Sequence, residues 1–275
     1  MAEVHQGPGH QPRLSKGSIL KPNAISDAEW ATRVDLAAFY RLCAHYEWTD
    51  LIYNHISARV PGGEEHFLLN PFGWTFDEVT ASSLVKIDLD GDVVAPTENR
   101  INRAGFVIHS AIHAARPDAL CVMHSHTRAG MAVSMMKEGL MPLSQHAMMF
   151  TGRVGYHESE GFALNLEERK RLANDMGSNA VLMLRNHGTL VAGATIPETF
   201  SMMWHLEKAM QAQLDALATH RELTTPSDKV SEELGRIAFT GHLPLTPGVE
   251  PAPLGRLEWP AMLRMLDRKD PSFRT

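Results

Sequence analysis

Two histidines separated by a single residue follow a short apolar run near the middle of the chain. Residues 120–127 have the sequence LCVMHSHT, which predicts a buried β-strand that ends at His124 and His126. Because side chains at i and i+2 of a strand point the same way, the two imidazoles enter one space. Imidazole nitrogens bind divalent ions such as Zn²⁺ at about 2.0–2.1 Å. The pair therefore predicts part of a metal site, from which strand alternation excludes Cys121.

A third histidine follows a second strand-like run. Residues 181–184 are apolar and lead into Arg185, Asn186, His187 and Gly188, where the glycine permits a sharp turn. Three histidines at the ends of two buried strands would form an open catalytic metal site. The alternative is that one or more of them only satisfies backbone groups near a strand end. The combination of H-x-H and N-H-G at matching strand ends favours the metal.

Composition and charge exclude several classes of protein. The chain has 275 residues, of which 44% are hydrophobic and 21% charged, as in globular proteins. A formal net charge of -6 gives no basic surface for nucleic acid. No apolar run approaches the 18 or so residues of a membrane span, and the N-terminus lacks the apolar core of a signal peptide. The two cysteines, Cys43 and Cys121, lie in apolar runs. We expect buried thiols and a cytoplasmic protein.

The chain divides into three parts by composition. Residues 1–24 are rich in glycine and proline without periodicity, and we expect a flexible N-terminal arm. Residues 25–222 contain the periodic segments and form the predicted metal-binding domain. Residues 223–275 are rich in proline and include a predicted short helix over 257–267. We expect this extension to pack on the body or on a neighbouring subunit.

Periodicity within the domain predicts an α/β fold. A capping pattern at Ser26 begins a helix to about residue 46, and further helices are predicted over 104–115, 128–137 and 196–218. Hairpins are predicted over 50–70 and 83–95, the second around a D-G turn. His109 and His113 share a helix face, which we interpret as packing or hydrogen bonding. The expected architecture is an αβα layered sandwich around a mixed, largely antiparallel sheet.

Several separated motifs resemble the class II aldolase/adducin family over about residues 30–220. The matching segments are Asn54-His55-Ile56-Ser57, Asn70-Pro71-Phe72-Gly73, Ala104-Gly105-Phe106 with His109, Ala115-Arg116-Pro117-Asp118, His124-Ser125-His126-Thr127 and Arg185-Asn186-His187-Gly188. The amino-acid sequence around His109 and the RNHG segment resemble the adducin-like branch of the family most. The resemblance implies an αβα sandwich, usually a homotetramer, with one divalent ion per subunit near a subunit interface. That ion is most often zinc, with manganese, cobalt or iron as alternatives.

The resemblance also assigns roles to individual residues, and this chain departs from the family at two of them. The family's metal ligands match His124, His126 and His187 here. The family's catalytic acid stands four positions before the residue that matches His109, where this chain has Gly105. Two serines that hold the substrate phosphate in the family are replaced by Arg103 and Ala104. The usual acid and the usual phosphate site are therefore both missing.

Other residues are candidates for the missing roles. Glu98, in the loop before the helix, is a candidate for the acid. The family's proton-donating tyrosine, supplied by a neighbouring subunit, aligns with His146, and histidine donates protons near neutral pH. Tyr156 lies in the same segment, rich in ionisable groups, and is a further catalytic candidate. The candidate substrate-binding residues are Asn54, Ser57, Asn70, Gly73 and Arg103.

These observations leave three functions open. A metal held by three neutral imidazoles keeps its double charge and would stabilise the enolate formed by retro-aldol cleavage or decarboxylation. Arg103 favours a carboxylate-bearing substrate, because guanidinium binds carboxylates through two hydrogen bonds, although it is equally consistent with a solvated loop charge. A metal-dependent carbon–carbon lyase on a small hydroxy or carboxylate substrate is the leading prediction. The alternatives are a metal-dependent epimerase or dehydratase and a non-catalytic adducin-like scaffold, which the loss of the acid at Gly105 favours.

Overall fold

A single seven-stranded sheet forms the centre of the protein. The computed structural model describes residues 25–161, 167–239 and 253–275, with only the backbone of residues 103–104. The predicted arm therefore lies outside the described residues. The strands are β1 (His55–Arg59), β2 (Phe67–Leu69), β3 (Val85–Ile87), β4 (Cys121–Ser125), β5 (Val154–His157), β6 (Val181–Leu184) and β7 (Gly188–Gly193).

Eight helices and a final 3-10 turn are described along the chain. They are α1 (Asp27–His45), α2 (Arg103–Ala115), α3 (Arg128–Ser134), α4 (Gln145–Met148), α5 (Glu168–Met176), α6 (Ile196–Ala218), α7 (Asp228–Ala238), α8 (Glu258–Lys269) and the turn Pro271–Arg274. Ser26 caps α1 by accepting a hydrogen bond from the Glu29 amide at 3.1 Å. Thr195 caps α6 in the same way, at 3.1 Å from the Glu198 amide. The predicted positions of both helices are confirmed.

The strand order is β3-β2-β1-β4-β7-β6-β5. Every neighbouring pair is antiparallel except β5 with β6, which are parallel, so the mixed, largely antiparallel sheet is confirmed. Alternation along β4 sends Cys121 and Met123 into the core beneath α1 and α6, and Val122 into the core beneath α2 and α5. Helices therefore cover both faces, as an αβα sandwich requires.

The structure corrects two details of the sequence-based prediction. The hairpin predicted over 83–95 is wrong in its second strand, because only an isolated bridge joins Ile87 to Val93. Val93 and Val94 are exposed there, so no sheet face is available to bury a longer strand. The helix α7 was not predicted, although Ser227 caps it and its apolar residues Val230, Leu234 and Ile237 recur at helical spacing. Among the described residues, none of the helices combines the length and apolarity needed to cross a bilayer.

The C-terminal extension packs on the body of the same chain. The helix α8 begins one residue after its predicted start and reaches Lys269. The Trp259 indole donates to Asp35 of α1 at 3.0 Å, and Arg41 of α1 donates to Asp270 at 3.1 Å. Phe273 is fully buried. The extension therefore completes the core on the α1 side of the sheet, whereas contact with a neighbouring subunit stays a prediction.

Candidate metal centre

Three imidazoles converge where β4 ends and β7 begins. The Nε2 atom of His126 lies 2.8 Å from Nε2 of His124 and 3.0 Å from Nε2 of His187. His124 belongs to β4, but His126 lies one residue beyond the strand's last residue, Ser125. Strand alternation alone therefore does not account for the shared direction of the two side chains. The structure brings all three predicted ligands together.

Hydrogen bonds behind the triad fix which ring nitrogen is bare. Nδ1 of His124 lies 3.0 Å from the carbonyl oxygen of Thr189, and a carbonyl only accepts, so this Nδ1 bears the proton. Nδ1 of His126 lies 2.9 Å from the carboxylate of Asp50 and donates in the same way. Burial lowers the pKa of His124 well below its ordinary value and that of His187 to about 4. The rings of His124 and His187 are therefore neutral at pH 7.

The donor set fits a divalent cation. With the Nδ1 atoms donating to Thr189 and Asp50, the Nε2 atoms of His124 and His126 face one another at 2.8 Å and are the atoms available to a cation between the rings. Nitrogens that bind Zn²⁺ tetrahedrally at about 2.0–2.1 Å lie about 3.3 Å apart, so the two separations from His126, 2.8 and 3.0 Å, need to widen by only a few tenths of an ångström. The carboxylate–histidine pair behind His126 is typical of protein metal sites.

The turn that presents His187 is built differently from the sequence-based expectation. Gly188 does not supply the turn; instead Asn186 adopts a left-handed conformation with φ of 60°. Glycine is required at 188 for space, because a Cβ there would overlap the backbone oxygen of Ser125 in the neighbouring strand β4. This close approach of β7 to β4 brings His187 to the other two ligands.

A chain of buried hydrogen bonds lies beside the triad. Nδ1 of His55 is 2.7 Å from Nε2 of His109, and Nδ1 of His109 is 2.5 Å from the hydroxyl of Ser57. That hydroxyl is 2.7 Å from Nε2 of His113, whose Nδ1 is 3.0 Å from the carbonyl oxygen of Ala119. All four side chains are buried. The interpretation of His109 and His113 as hydrogen-bonding residues is confirmed.

The predicted substrate-binding residues lie in different environments. Ser57 is fully buried and both of its hydrogen bonds go to the chain just described, so it is not available to a substrate. Asn54 is 2% exposed, and neither its amide oxygen nor its amide nitrogen has a hydrogen-bond partner within the described ranges. Asn70 lies against Tyr40, 3.0 Å from its hydroxyl. Gly73 is exposed, with a φ of 96°.

The predicted catalytic residues are dispersed. The Tyr156 hydroxyl accepts from the Leu140 amide at 3.2 Å, and the Arg185 guanidinium lies over its ring at 4.4 Å. His146 is exposed on α4. Glu98 is exposed in the loop before α2, and Arg103 is the first residue of that helix. Their catalytic and binding roles stay predictions.

Two residues of the site were missed by sequence reasoning. Asp50 lies 76 positions before His126, and no motif around it marks it as a metal-site carboxylate. His55 pairs with His124 across β1 and β4, with their rings 5.3 Å apart. His55 stands in the family-matching segment Asn54-His55-Ile56-Ser57, but the sequence assigned it no role; the glycine at 105, which leaves space for another side chain, was the further signal.

The family profile of the Class II Aldolase and Adducin N-terminal domain matches residues 34–214. The chain belongs to this family. A protein of Caulobacter vibrioides provisionally named a class 2 aldolase is 49% identical over 90% of this chain and 94% of its own length. Rat alpha-adducin is 42% identical over 89% of this chain, which spans only 34% of that protein.

Solved structures agree with this membership of the class II aldolase family. An aldolase II superfamily protein from Pseudomonas syringae has a TM-score of 0.84 and 46% identity, covering 92% of this chain and 98% of its own. An L-fuculose 1-phosphate aldolase from Glaciozyma antarctica has a TM-score of 0.76 and 26% identity, covering 94% and 98%. The family's αβα fold is thus confirmed across the body of the chain.

Proposed function

We propose that the protein is a divalent-metal-dependent carbon–carbon lyase that acts on a small hydroxy or carboxylate-bearing substrate by retro-aldol cleavage or decarboxylation. The observation that supports it most strongly is the convergence of the imidazole nitrogens of His124, His126 and His187, because three such nitrogens form the usual donor set of an open catalytic site for a divalent ion. Similarity to an L-fuculose 1-phosphate aldolase over nearly the whole chain supports the same class of reaction. The metal we favour is Zn²⁺, which suits an all-nitrogen set, with Mn²⁺, Co²⁺ and Fe²⁺ as alternatives.

The residues in and around the triad would have different roles in the reaction. A divalent ion held by the three histidines supplies a Lewis acid that stabilises negative charge developing on a substrate oxygen. Asp50 and the Thr189 carbonyl hold the rings of His126 and His124 in orientation. The buried amide of Asn54 has no partner among the described residues, which costs free energy that a substrate oxygen or hydroxyl would recover. Asn54 is therefore the substrate-binding residue that the structure supports best.

The nature of the substrate follows from what the chain lacks. The family's phosphate-binding serines are absent at 103–104, and we propose that Arg103 binds a substrate carboxylate instead. A carboxylate next to the reacting carbon suits either cleavage to an aldehyde or loss of carbon dioxide. A metal-dependent epimerase or dehydratase would use the same site without breaking a carbon–carbon bond.

The second candidate is a non-catalytic scaffold of the adducin type. The 42% identity with rat alpha-adducin favours it, as does the absence of an acid at Gly105. A scaffold, however, has no need of three converging imidazole lone pairs. Loss of metal would leave a scaffold's assembly and partner binding intact, whereas it would abolish a lyase.

Oligomeric state forms a further part of the proposal. We infer a homotetramer with the site near a subunit interface, because His146 is exposed on α4 although its alignment gives it a catalytic role. Light scattering after size-exclusion chromatography tests this directly. A monomer would remove the basis for a proton donor supplied by a neighbour.

Metal content per chain, measured by elemental analysis on protein purified without chelator or histidine tag, tests the proposed function. We expect about one zinc, manganese, cobalt or iron per chain, lost in His187→Ala and kept in His220→Asn. His220 is an exposed histidine in a left-handed conformation that asparagine tolerates, which makes it a matched control. Hydroxy-dicarboxylic acids would then be screened for release of carbon dioxide or aldehyde. A metal-free protein that takes up no added ion would contradict the lyase and support the scaffold.

A further inference from the structure

His55 occupies the space that a side chain at position 105 would need. Gly105 lies in the first turn of α2, and its N–H donates to the capping side chain of Asn102 at 3.3 Å. A Cβ built on Gly105 would overlap the imidazole of His55, which projects from the neighbouring strand β1. The histidine at position 55 therefore requires glycine at position 105, because this space holds only one of the two side chains. An imidazole thus stands where the family places its acid.

The hydrogen-bond chain behind His55 determines which of its nitrogens bears the proton. The Ala119 carbonyl only accepts, so His113 donates from Nδ1 and its Nε2 is bare. The single hydroxyl proton of Ser57 then goes to that Nε2, and the Ser57 oxygen accepts from Nδ1 of His109. Nε2 of His109 is consequently bare and accepts from Nδ1 of His55. The only nitrogen left without a proton or a donor is Nε2 of His55.

Burial keeps this chain neutral, as the assignment requires. Desolvation lowers the pKa of His113 to about 3 and that of His109 well below its ordinary value. Each ring therefore has one proton at pH 7. Within the part of the chain that the structure describes, Nε2 of His55 has no hydrogen-bond partner. The ring of His55 lies 5.3 Å from that of His124, so it adjoins the triad without belonging to it.

We propose that Nε2 of His55 is the hydrogen-bond acceptor for a substrate hydroxyl at the metal centre, replacing in space the acid that is missing at Gly105. This inference rests on the proposed lyase function and narrows the substrate to one with a free hydroxyl beside its metal-binding oxygen. The positioning residues are His109, Ser57 and His113, which act through His55. An alkoxy analogue of the same shape has no hydrogen to donate and would be discriminated against.

The binding test compares glycolate with methoxyacetate, which lacks the hydroxyl proton, by calorimetry on the Zn²⁺-loaded protein. One hydrogen bond corresponds to a preference of about three- to tenfold for glycolate. We expect that preference in the wild type and in Ser110→Ala, a control on α2 whose hydroxyl donates to the Val107 carbonyl of the same helix. We expect it to disappear in His55→Phe, which keeps a ring in the space, and to shrink in Ser57→Ala.

A second readout does not depend on any substrate. Long-range ¹H–¹⁵N spectra of histidine-labelled, metal-free protein report which nitrogen of each ring is protonated, with His55→Phe and Ser57→Ala assigning the signals. We expect His55 to be protonated at Nδ1 and bare at Nε2. A proton on Nε2 would overturn the inference. Equal binding of the two acids would also overturn it while leaving the lyase proposal standing, and failure of both acids to bind would instead contradict the proposed function itself.

Discussion

The carboxylate of Asp50 accepts a hydrogen bond from Nδ1 of His126 across 2.9 Å. This contact joins a loop before β1 to the residue just after β4, and it leaves Nε2 of His126 facing the other two imidazoles. Asp50 itself is partly exposed, with 44% of its side chain accessible. Its contribution is therefore to orient and polarise one ligand from the edge of the site.

Replacing Asp50 by asparagine should weaken metal binding by about 10- to 100-fold, the usual effect of losing such a carboxylate. The amide of asparagine keeps the shape but lacks the charge that favours a proton on Nδ1. The dissociation constant for Zn²⁺, obtained by competition with a chromophoric chelator, measures the change. Asp77→Asn, at an exposed position, is the control. An affinity equal to the wild type in Asp50→Asn would show that His126 is oriented by other contacts.

The metal ligands could be predicted from the sequence because they belong to local patterns. The apolar residues before His124 and before His187 each predict a buried strand. Strand geometry then restricts the direction of a histidine side chain at the end of the strand. The helix α6 was predictable for a similar reason, since its cap and its apolar stripe lie within one continuous segment.

The surroundings of the triad could not be predicted in this way, because they depend on tertiary register. His55 faces His124 only because β1 pairs with β4 in one particular register, and a shift by one residue would point it to the other face. The contact of Asp50 with His126 likewise requires the loop before β1 to lie beside the end of β4. The sequence predicted that Gly188 forms a turn, whereas it is needed for close packing between β7 and β4. A single sequence does not show which strands pack closely.

Adding one methyl group at position 188 should damage both the fold and the site. The new Cβ in Gly188→Ala would overlap the oxygen of Ser125, and moving a strand backbone costs about 3 kcal/mol of the free energy of unfolding. Gly152→Ala is the comparison, because that glycine has a φ of 71° and open space around it. It should cost only about 1 kcal/mol, from backbone strain alone. Urea unfolding gives both values, and equal losses would refute the steric explanation.

The buried histidines should make the protein acid-sensitive. His55 and His113 have pKa values of about 3 in the folded state, against an ordinary value of 6.5 when unfolded. Between these values the unfolded chain binds more protons, so the free energy of unfolding decreases as the pH falls below about 6.5. Each fully engaged group contributes about 1.4 kcal/mol per pH unit.

Urea unfolding of chelator-treated protein at pH 7.5, 6.0 and 5.0 measures this dependence without interference from metal release. His113→Gln removes one titrating group and should make the slope shallower, whereas the exposed control His220→Asn should leave it unchanged. A free energy of unfolding that is constant from pH 7.5 to 5.0 would mean that these rings are already protonated in the fold, contrary to the hydrogen-bond chain described above.

Removal of the His146 imidazole should lower turnover by about 100-fold, because general-acid catalysis contributes at least this much. Its ring lies 5.2 Å from that of His205, and partial desolvation together with the charges of His205 and Lys208 lowers its pKa. A histidine donates a proton only while it is protonated, that is, at pH values below its pKa. Because the pKa of His146 is lowered, turnover should fall as the pH rises through a value below 6.5. This decrease in turnover with pH should be absent in His146→Ala. It should move to higher pH in His205→Ala, which removes the neighbouring ring. Turnover against pH, on the substrate found by the acid screen, measures it, and unchanged turnover in His146→Ala would exclude the role.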